Sequence, residues 1–376
     1  MTSTKPSLAL LREMSDEAVL RALMDSPRLT RAELAVLTGL SKPTVGEAVR
    51  RLEAAALVRD TGERTTGRGG VGTYYALAGD AGLALAVSIA PQGVAVEVLN
   101  AAGGAVGRIV EPVRRPAAPE AVTGALAKAA RGALGDRRAR LAAVSAADPV
   151  DKATGELVHL PDAPFLLGAM SPAATLAPLV DGPVVVDNDV NWAARAEQAA
   201  RAGAVPSHAA DDFVYLYLGE GLGCAVVTDG QVRRGHSGLA GEIAHVPVPG
   251  PGGQAMPLID VFGRLGLRHA GSTAIDVDRL LAALGSAGGA ALARSLAEAV
   301  GGLLDAAVAF ADPAFAVIGG PWGSAASFAG ELAAALPARP RGIRIEQPRV
   351  RDDPSLAGAR AAAVRSLRDD LVARSR

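Results

Sequence analysis

The sequence predicts a small helical N-terminal domain followed by a larger α/β body with two lobes. The chain has 376 residues, more than a single hydrophobic core usually supports, so we expect two or three domains. From residue 83 onward, strand-like apolar runs alternate with helical patterns, which is typical of an α/β fold. Hydrophobic residues make up 49% of the chain and charged residues 20%, a composition that indicates a folded protein.

Three helices are predicted in the N-terminal domain. The first covers residues 15–26 and is expected to start at Ser15-Asp16-Glu17, which has the composition of an N-cap. The second starts at Thr30-Arg31-Ala32-Glu33, where Thr and Glu at this spacing form a capping box, and ends at Gly39, a residue suited to a left-handed C-cap. Ser41 is expected to cap the third helix.

The second and third helices have the proportions of a helix-turn-helix, separated by Gly39-Leu40-Ser41. Val45, Val49 and Leu52 form an apolar stripe that would hold the third helix on the domain, which leaves its polar side for the major groove of DNA. The Gly-rich segment Gly62–Gly72 then predicts a β-wing. The alternative is an ordinary three-helix bundle with a solvated polar face.

The residues predicted to contact DNA lie at the start of the second helix, on the third helix and in the wing: Thr30, Arg31, Ser41, Lys42, Thr44, Glu47, Arg50, Arg51, Arg64 and Arg68. Arg68 is flanked by glycines and suits a narrow minor groove, although a solvated arginine in a flexible linker would look the same. Residues 28–68 carry eight Arg and Lys against five acids, whereas the whole chain has a net charge of −1. The basic excess is therefore local.

The composition also excludes several classes of protein. A single cysteine, Cys224, excludes a disulfide framework and a multi-cysteine zinc site within one chain, and its apolar neighbours predict a buried thiol. The N-terminus lacks the apolar core of a signal peptide, and no unbroken run of about 18 apolar residues predicts a membrane span. We therefore expect a cytoplasmic protein without a membrane partner.

The α/β body is expected to contain five strands and four helices. The predicted segments are strands at 83–89, 93–99, 183–186, 213–218 and 315–318, and helices at 120–134, 188–202, 287–310 and 356–372.

The sequence resembles the ROK family (repressors, open reading frames and kinases). The N-terminal part of the resemblance rests on Arg31–Ala35, Thr38–Val45, Leu57-Val58 and Gly67-Arg68-Gly69, which look like the DNA-binding domain of ROK repressors. The remainder of the chain carries weaker versions of the family motifs. The resemblance implies an actin/hexokinase-like body of two lobes behind a winged helix-turn-helix.

Two segments look like the sugar-binding motifs of ROK proteins. In Val186–Asn191, the resemblance implies that Asn188 binds a sugar hydroxyl, and that Asp189 is a general base in a kinase or a hydroxyl acceptor in a repressor. In the second segment, Glu242 and His245 match the family's sugar-binding Glu and His. The alternatives are helix capping for Asp187 and Asp189, and a buried structural histidine for His245.

The motifs that bind nucleotide in ROK kinases are changed. The family's Asp-x-Gly-Gly-Thr loop matches Ser88–Gln92, where Pro91 has no amide proton to offer a phosphate. The later Gly-Thr-Gly loop reads Gly219-Glu220-Gly221, which adds a negative charge. Because phosphoryl transfer depends on positioning and on charge neutralisation, these changes predict that the protein is not an enzyme.

Three further positions differ from the family. The segment Val246–Pro257 has no cysteine and cannot form the structural zinc site with one His and three Cys. Leu258-Ile259-Asp260 matches the family's Cys-Leu-Glu, so Asp260 is predicted to replace a sugar-binding Glu with a shorter side chain. The family's Pro-Gly in the small lobe reads Ala147-Asp148.

The sequence thus predicts a transcriptional regulator, and more specifically a repressor of carbohydrate-related genes that acts as a homodimer or higher oligomer. We expect a DNA-binding domain at 1–80, a small lobe at 81–187 completed by the helix at 356–376, and a large lobe at 188–355. The expected partners are a double-stranded operator and a small effector such as a sugar, and no cofactor or metal is expected. Two alternatives remain: a sugar kinase, and a ligand-independent DNA-binding scaffold.

Overall fold

The computed structural model describes residues 7–65, 71–79, 81–160, 165–166, 168–202, 212–339 and 341–375. It confirms an α/β protein with a helix-turn-helix at its N-terminus. The N-terminal domain contains α1 (Leu8–Met24), β1 (Leu29–Thr30), α2 (Arg31–Thr38), α3 (Lys42–Ala54), β2 (Val58–Arg64) and β3 (Thr73–Leu77). Its three strands form a small sheet in the order β1-β3-β2.

The first helix begins earlier than the sequence pattern predicted. Ser7 caps α1 by accepting a hydrogen bond from the backbone N–H of Leu10, so the expected N-cap at Ser15 is wrong. Ser15 and Asp16 instead lie buried in the middle of the helix. The reason is tertiary: Arg51 on α3 forms a bidentate ion pair with Asp16 and also donates to the Ser15 hydroxyl.

The other predicted caps of this domain are present. Thr30 and Glu33 form the capping box of α2, because each side chain bonds the backbone of the other residue. Gly39 ends α2 with a φ of +70°, a left-handed conformation that glycine adopts without strain. Ser41 caps α3.

The small lobe is built on a five-stranded sheet in the order β6-β5-β4-β7-β8. Its elements are β4 (Leu83–Ala90), β5 (Gly93–Asn100), β6 (Ala105–Glu111), α4 (Pro119–Leu134), β7 (Leu141–Ala146), α5 (Pro172–Leu176) and β8 (Val184–Asn188). The pairs β4–β5 and β5–β6 are antiparallel, whereas β4–β7 and β7–β8 are parallel.

The large lobe is built on a second five-stranded sheet in the order β11-β10-β9-β14-β15. Its strands are β9 (Phe213–Leu218), β10 (Leu222–Thr228), β11 (Gln231–Val232), β12 (Pro247–Pro249), β13 (Ala255–Pro257), β14 (Phe315–Gly319) and β15 (Ile345–Glu346). Its helices are α6 (Asp189–Arg201), α7 (Leu258–Arg264), α8 (Val277–Leu284), α9 (Gly289–Ala311) and α10 (Ala326–Ala335), followed by a short 3-10 helix at Leu336–Ala338.

The last helix, α11 (Pro354–Arg374), connects all three parts of the molecule. It packs against α6 and against β4 and β7 of the small lobe, while its C-terminal half meets α1. Alternation along β4 explains this packing: Leu85 and Val87 face α4, whereas Ala84 and Ala86 belong to the core that contains α11. Because these two side chains are small, the helix lies close to the sheet.

Within the described residues, no single helix is long and apolar enough to span a membrane, and α8 with α9 reaches that length only as a pair bent by 120°.

Candidate functional sites

The third helix presents one exposed polar face. Val45, Val49 and the rest of the apolar stripe are fully buried, as the sequence predicted. Lys42, Glu47 and Arg50 are exposed on the opposite side. This is the arrangement that a recognition helix requires, since apolar residues hold it on the domain and polar residues remain available.

Several other residues predicted to contact DNA also have roles inside the domain. Thr30 is buried in the capping box, and Arg51 is half-buried in its ion pair with Asp16. The hydroxyls of Ser41 and Thr44 lie 2.7 Å apart at the start of α3. These contacts stabilise the helix-turn-helix, whether or not the same side chains also reach a phosphate.

The remaining predicted DNA contacts lie near the wing. Arg64 is exposed at the end of β2 and forms an ion pair with Asp60 at 2.9 Å. Arg31 is exposed at the start of α2, with its guanidinium 5.1 Å from the centre of the Tyr75 ring. Arg68 lies outside the described residues.

A cleft of about 1090 Å³ separates the two lobes. The small lobe lines it with the ends of β4 and β7, and the large lobe lines it with the start of α6, the β9–β10 turn and the loop after β11. Asn188, Asp189, Glu242 and His245 all line this cleft, so the structure brings four of the five predicted effector-binding residues together.

The junction between β8 and α6 positions the first two of these residues. Asn188 is the N-cap of α6, where its side-chain oxygen accepts from the N–H of Val190, and its amide faces the carbonyls of Ala146 and Asp148. Asp189 follows in the first turn and also accepts from Val190. Helix capping and ligand binding are therefore compatible at this position.

Asp187, one residue earlier, has a structural role. It is buried and forms ion pairs with Arg195 on α6 and with Arg234 in the loop after β11. It also accepts from the side chain of Asn191. Because Arg234 belongs to the large lobe, these contacts hold the loop that carries Glu242 against the end of β8.

Close backbone packing positions Glu242 itself. Gly241 has a φ of +98°, and a Cβ atom there would lie 1.8 Å from the carbonyl oxygen of Cys224. The N–H of Cys224 also donates to the carbonyl of Gly241. Residue 241 must therefore be glycine, because any side chain would prevent the loop from lying this close to the strand. Cys224 is buried, as predicted, and burial raises the pKa of its thiol to about 12.

Burial also changes the acidity of two carboxyl groups in the cleft. Desolvation raises the pKa of Asp189 to about 7, and the neighbouring charges of Asp148 and Glu242 raise it as well. Desolvation raises the pKa of Asp148 to about 6, against an opposing backbone hydrogen bond from Leu166 and the charge of His159. Asp148 is 2% exposed, and within the described part of the chain its Oδ2 atom has no hydrogen-bond partner.

Two family models match the chain. Residues 100–258 match the ROK family, and residues 18–69 match the MarR family. A ROK family transcriptional regulator, a homologue of the Escherichia coli MLC protein, has a similar structure over almost the whole length, with a TM-score of 0.62, 17% identity, and coverage of 97% of this chain and 98% of that one.

The chain contains a ROK family domain behind a MarR-type winged helix-turn-helix.

The ROK domain is also similar to sugar kinases. It is 29% identical to the glucokinase of Streptomyces coelicolor over 165 residues, which cover 44% of this chain and half of the length of that relative. It is 35% identical to the bifunctional enzyme NanE/NanK of Brucella suis over 162 residues, 29% of that protein. A ROK glucokinase from Streptomyces griseus, in complex with glucose and AMPPNP, matches 75% of this chain and 99% of its own, with a TM-score of 0.56 and 24% identity.

The two segments that match the phosphate loops of ROK kinases form a strand-to-strand turn and a charge pair. Pro91 and Gln92 form the tight turn between the antiparallel strands β4 and β5. Glu220 lies in the turn between β9 and β10, where it forms an ion pair with Arg115 of the small lobe. The two lobes are thus linked by a charge pair in the lining of the cleft.

The segment after His245 forms a β-hairpin. Strands β12 and β13 pair in antiparallel fashion, and the N–H of Gly250 donates to the carbonyl of Gln254. Within the described residues, no three His, Cys, Asp or Glu side chains are grouped so that they could hold a metal ion.

Asp260 does not reach the cleft. It lies on α7 with about half of its side chain exposed, and its carboxylate is paired with Arg268 at 2.8 Å. Its neighbour Ile259 lines the cleft instead. The expectation that Asp260 replaces a sugar-binding Glu does not agree with this geometry, because successive residues of a helix point in different directions.

Two residues of the cleft were not among the predicted site residues. In the sequence, Asp148 differs from the family's Pro-Gly but carries no other signal. Its burial beside Asp189 follows from the pairing of β7 with β8. Arg115 had no sequence signal, because its partner Glu220 lies 105 residues away along the chain.

Proposed function

We propose that this protein is a DNA-binding transcriptional regulator whose affinity for its operator responds to a small polyhydroxylated molecule in the cleft between the lobes. The observation that carries the proposal is the combination of an exposed polar face on α3 with a ROK cleft whose phosphate loops are replaced by a hairpin turn and a charge pair. We further propose that it represses carbohydrate-related genes and that it binds its operator as a homodimer.

The contacts of α11 support a mechanical connection between the cleft and the DNA-binding domain. The cleft residues Asn188 and Asp189 begin α6, and α6 packs closely on α11: a Cβ atom on Gly358 would lie 2.0 Å from the carbonyl oxygen of Trp192. The Trp192 indole in turn donates to the carbonyl of Val144 on β7. A displacement of α6 on ligand binding would therefore move α11.

The far half of α11 is bonded to the DNA-binding domain. Arg368 donates to the carbonyl of Met24 and to the carboxylate of Asp25 at the end of α1, and also to the carbonyl of Ala101 in the small lobe. One continuous apolar core contains Leu20 of α1 and Leu367 of α11. The DNA-binding domain would therefore follow a movement of this helix, which changes how two recognition helices of a dimer are spaced.

The second candidate function is that of a sugar kinase. The retained Asn188-Asp189 pair and the likeness to glucokinases favour it. The position of Glu220 opposes it, because a carboxylate beside the phosphates would repel the charge that a kinase must neutralise.

One pair of experiments separates the two functions. Selection of bound sequences from a random DNA library with the full chain is expected to return a pseudo-palindromic site, and Lys42→Ala with Arg50→Ala is expected to abolish the enrichment. Incubation with ATP, Mg²⁺ and a panel of hexoses is expected to give no sugar phosphate. ATP-dependent turnover that disappears in Asp189→Asn, without DNA enrichment, would establish the kinase and refute the regulator.

A further inference from the structure

The cleft is strongly acidic although the chain as a whole is close to neutral. Seven Asp and Glu residues line it, against two arginines, Arg115 and Arg351, and no lysine among the described residues. Low-dielectric walls concentrate the field of such a cleft and attract ligands of the opposite sign. A ligand that carries positive charge is thus favoured over a neutral or anionic one.

Four of these seven carboxyl groups are accounted for by helix capping, pairing or exposure. Asp276 and Asp353 cap α8 and α11, Glu220 is paired with Arg115, and Asp278 is exposed in the first turn of α8. The other three are Asp148, Asp189 and Glu242, and the charges of Asp148 and Glu242 both act on Asp189. Arg195 and Arg234 form ion pairs with Asp187, the residue before Asn188.

Asp148 supplies the second, independent observation. Its carboxyl group is buried, and its Oδ2 atom has no hydrogen-bond partner among the residues that the structure describes. A buried acceptor without a partner is unfavourable by about 1–3 kcal/mol, and more when it is charged. A donor from a ligand would remove this penalty. Burial raises the pKa values of both Asp148 and Asp189, and the like charges of Asp148 and Glu242 raise that of Asp189 further.

We propose that the cleft binds a polyhydroxylated ligand that carries a protonated amine, with the ammonium group between Asp148 and Asp189. An ammonium group has three donors and no acceptor, so it can satisfy both carboxylates through charge-assisted hydrogen bonds. The hydroxyl groups of the same ligand suit Asn188, Glu242 and His245, which offer both donors and acceptors. An unacylated amino sugar is the simplest ligand of this class. The inference rests on the proposed function of the cleft as an effector site.

The test compares sugars that differ only in the charge of one group. Binding of D-glucosamine, D-galactosamine and D-mannosamine to the full chain is measured by calorimetry at pH 7, beside the parent hexoses and the N-acetylated forms. At least one amino sugar is expected to bind tenfold or more tightly than its parent hexose and its N-acetylated form. Methylammonium chloride at the same concentrations is expected to give no binding, because it lacks the hydroxyl groups.

Variants then locate the charge that is recognised. Asp148→Asn is expected to reduce the preference for the amino sugar to less than about threefold, and Asp189→Asn provides a second test should the first variant fail to fold. Asp136→Asn removes one exposed charge from the same lobe outside the cleft lining and is expected to keep the full preference.

The outcomes distinguish the inference from the proposed function. If every amino sugar binds no better than its parent hexose, the inference is wrong, and release of operator DNA by a neutral hexose would show that the proposed function nevertheless holds. If an amino sugar binds with the expected preference but operator DNA stays bound at saturation, the ligand class is correct and the regulatory function fails.

Discussion

Substitution of Asp148 by asparagine should stabilise the ligand-free protein, and the gain should increase with pH. The side chain is 2% exposed, and burial raises its pKa from about 3.8 to about 6. Asparagine has nearly the same shape and keeps an oxygen that can accept from the N–H of Leu166, but it carries no charge. The substitution therefore removes the charge and the pH-dependent cost of burying it, while a buried polar atom remains at the position of Oδ2.

The magnitude follows from the difference between the two pKa values. About two pKa units correspond to roughly 3 kcal/mol of free energy that the folded protein loses when the carboxyl group ionises. Because the pKa is higher in the folded state, the folded wild type binds more protons than the unfolded chain. The wild type therefore keeps this part of its folding stability at low pH and loses it as the pH rises through about 6. Roughly half of the stability difference between Asp148→Asn and the wild type is present at pH 5, and this difference grows by about 1.4 kcal/mol between pH 5 and pH 8.

Urea denaturation of the wild type and of Asp148→Asn at several pH values between 5 and 8 measures this difference. His159 and Asp189 are the charged or titratable neighbours that act on this group, so the pH dependence is also recorded in Asp189→Asn. Asp136→Asn serves as the matched control, because it makes the same change at an exposed side chain of the same lobe. A wild type that gains stability relative to Asp148→Asn as the pH rises, or a difference that is independent of pH, would refute the reasoning.

Three further predictions concern other parts of the molecule. Arg51→Met leaves the buried carboxylate of Asp16 without its partner, so the N-terminal domain should lose about 2 kcal/mol of stability in thermal denaturation; an unchanged melting temperature would show that the ion pair contributes nothing. Lys42→Ala should weaken DNA binding and, where this lysine contacts a phosphate, reduce the slope of log K against log salt by about one, without a change in melting temperature; an unaltered affinity would remove Lys42 from the interface. Arg368→Gln should preserve both DNA binding and ligand binding but reduce ligand-induced operator release severalfold in a fluorescence titration, and full release would exclude α11 as the connecting element.

Local rules were sufficient for much of the helix-turn-helix. The capping box at Thr30 and Glu33, the left-handed Gly39 and the cap at Ser41 act within three or four residues, so the sequence contains all of the partners. The start of α1 was misread because Ser15 and Asp16 have the composition of a cap, and their true partner, Arg51, lies 35 residues beyond Asp16.

The same distinction applies to the cleft. The motifs placed Asn188 with Asp189 and Glu242 with His245, and all four residues line the cleft because each pair is held by its own short segment. Their role in binding an effector stays a prediction. Asp260 was placed in the cleft by its position in the motif, but its orientation depends on how α7 turns and on the nearby Arg268.

The sequence by itself determined the fold class, the helix-turn-helix and the loss of the phosphate-binding residues, since these depend on periodicity, on capping and on which side chains are present at all. Only the tertiary structure decided that Asp148 is buried beside Asp189 with no described partner for its Oδ2 atom, that Arg115 pairs with Glu220 across the cleft, and that α11 is bonded to α1. Each of these contacts joins residues far apart in the chain. Their desolvation and pairing depend on the packing of several elements at once, which no local pattern contains.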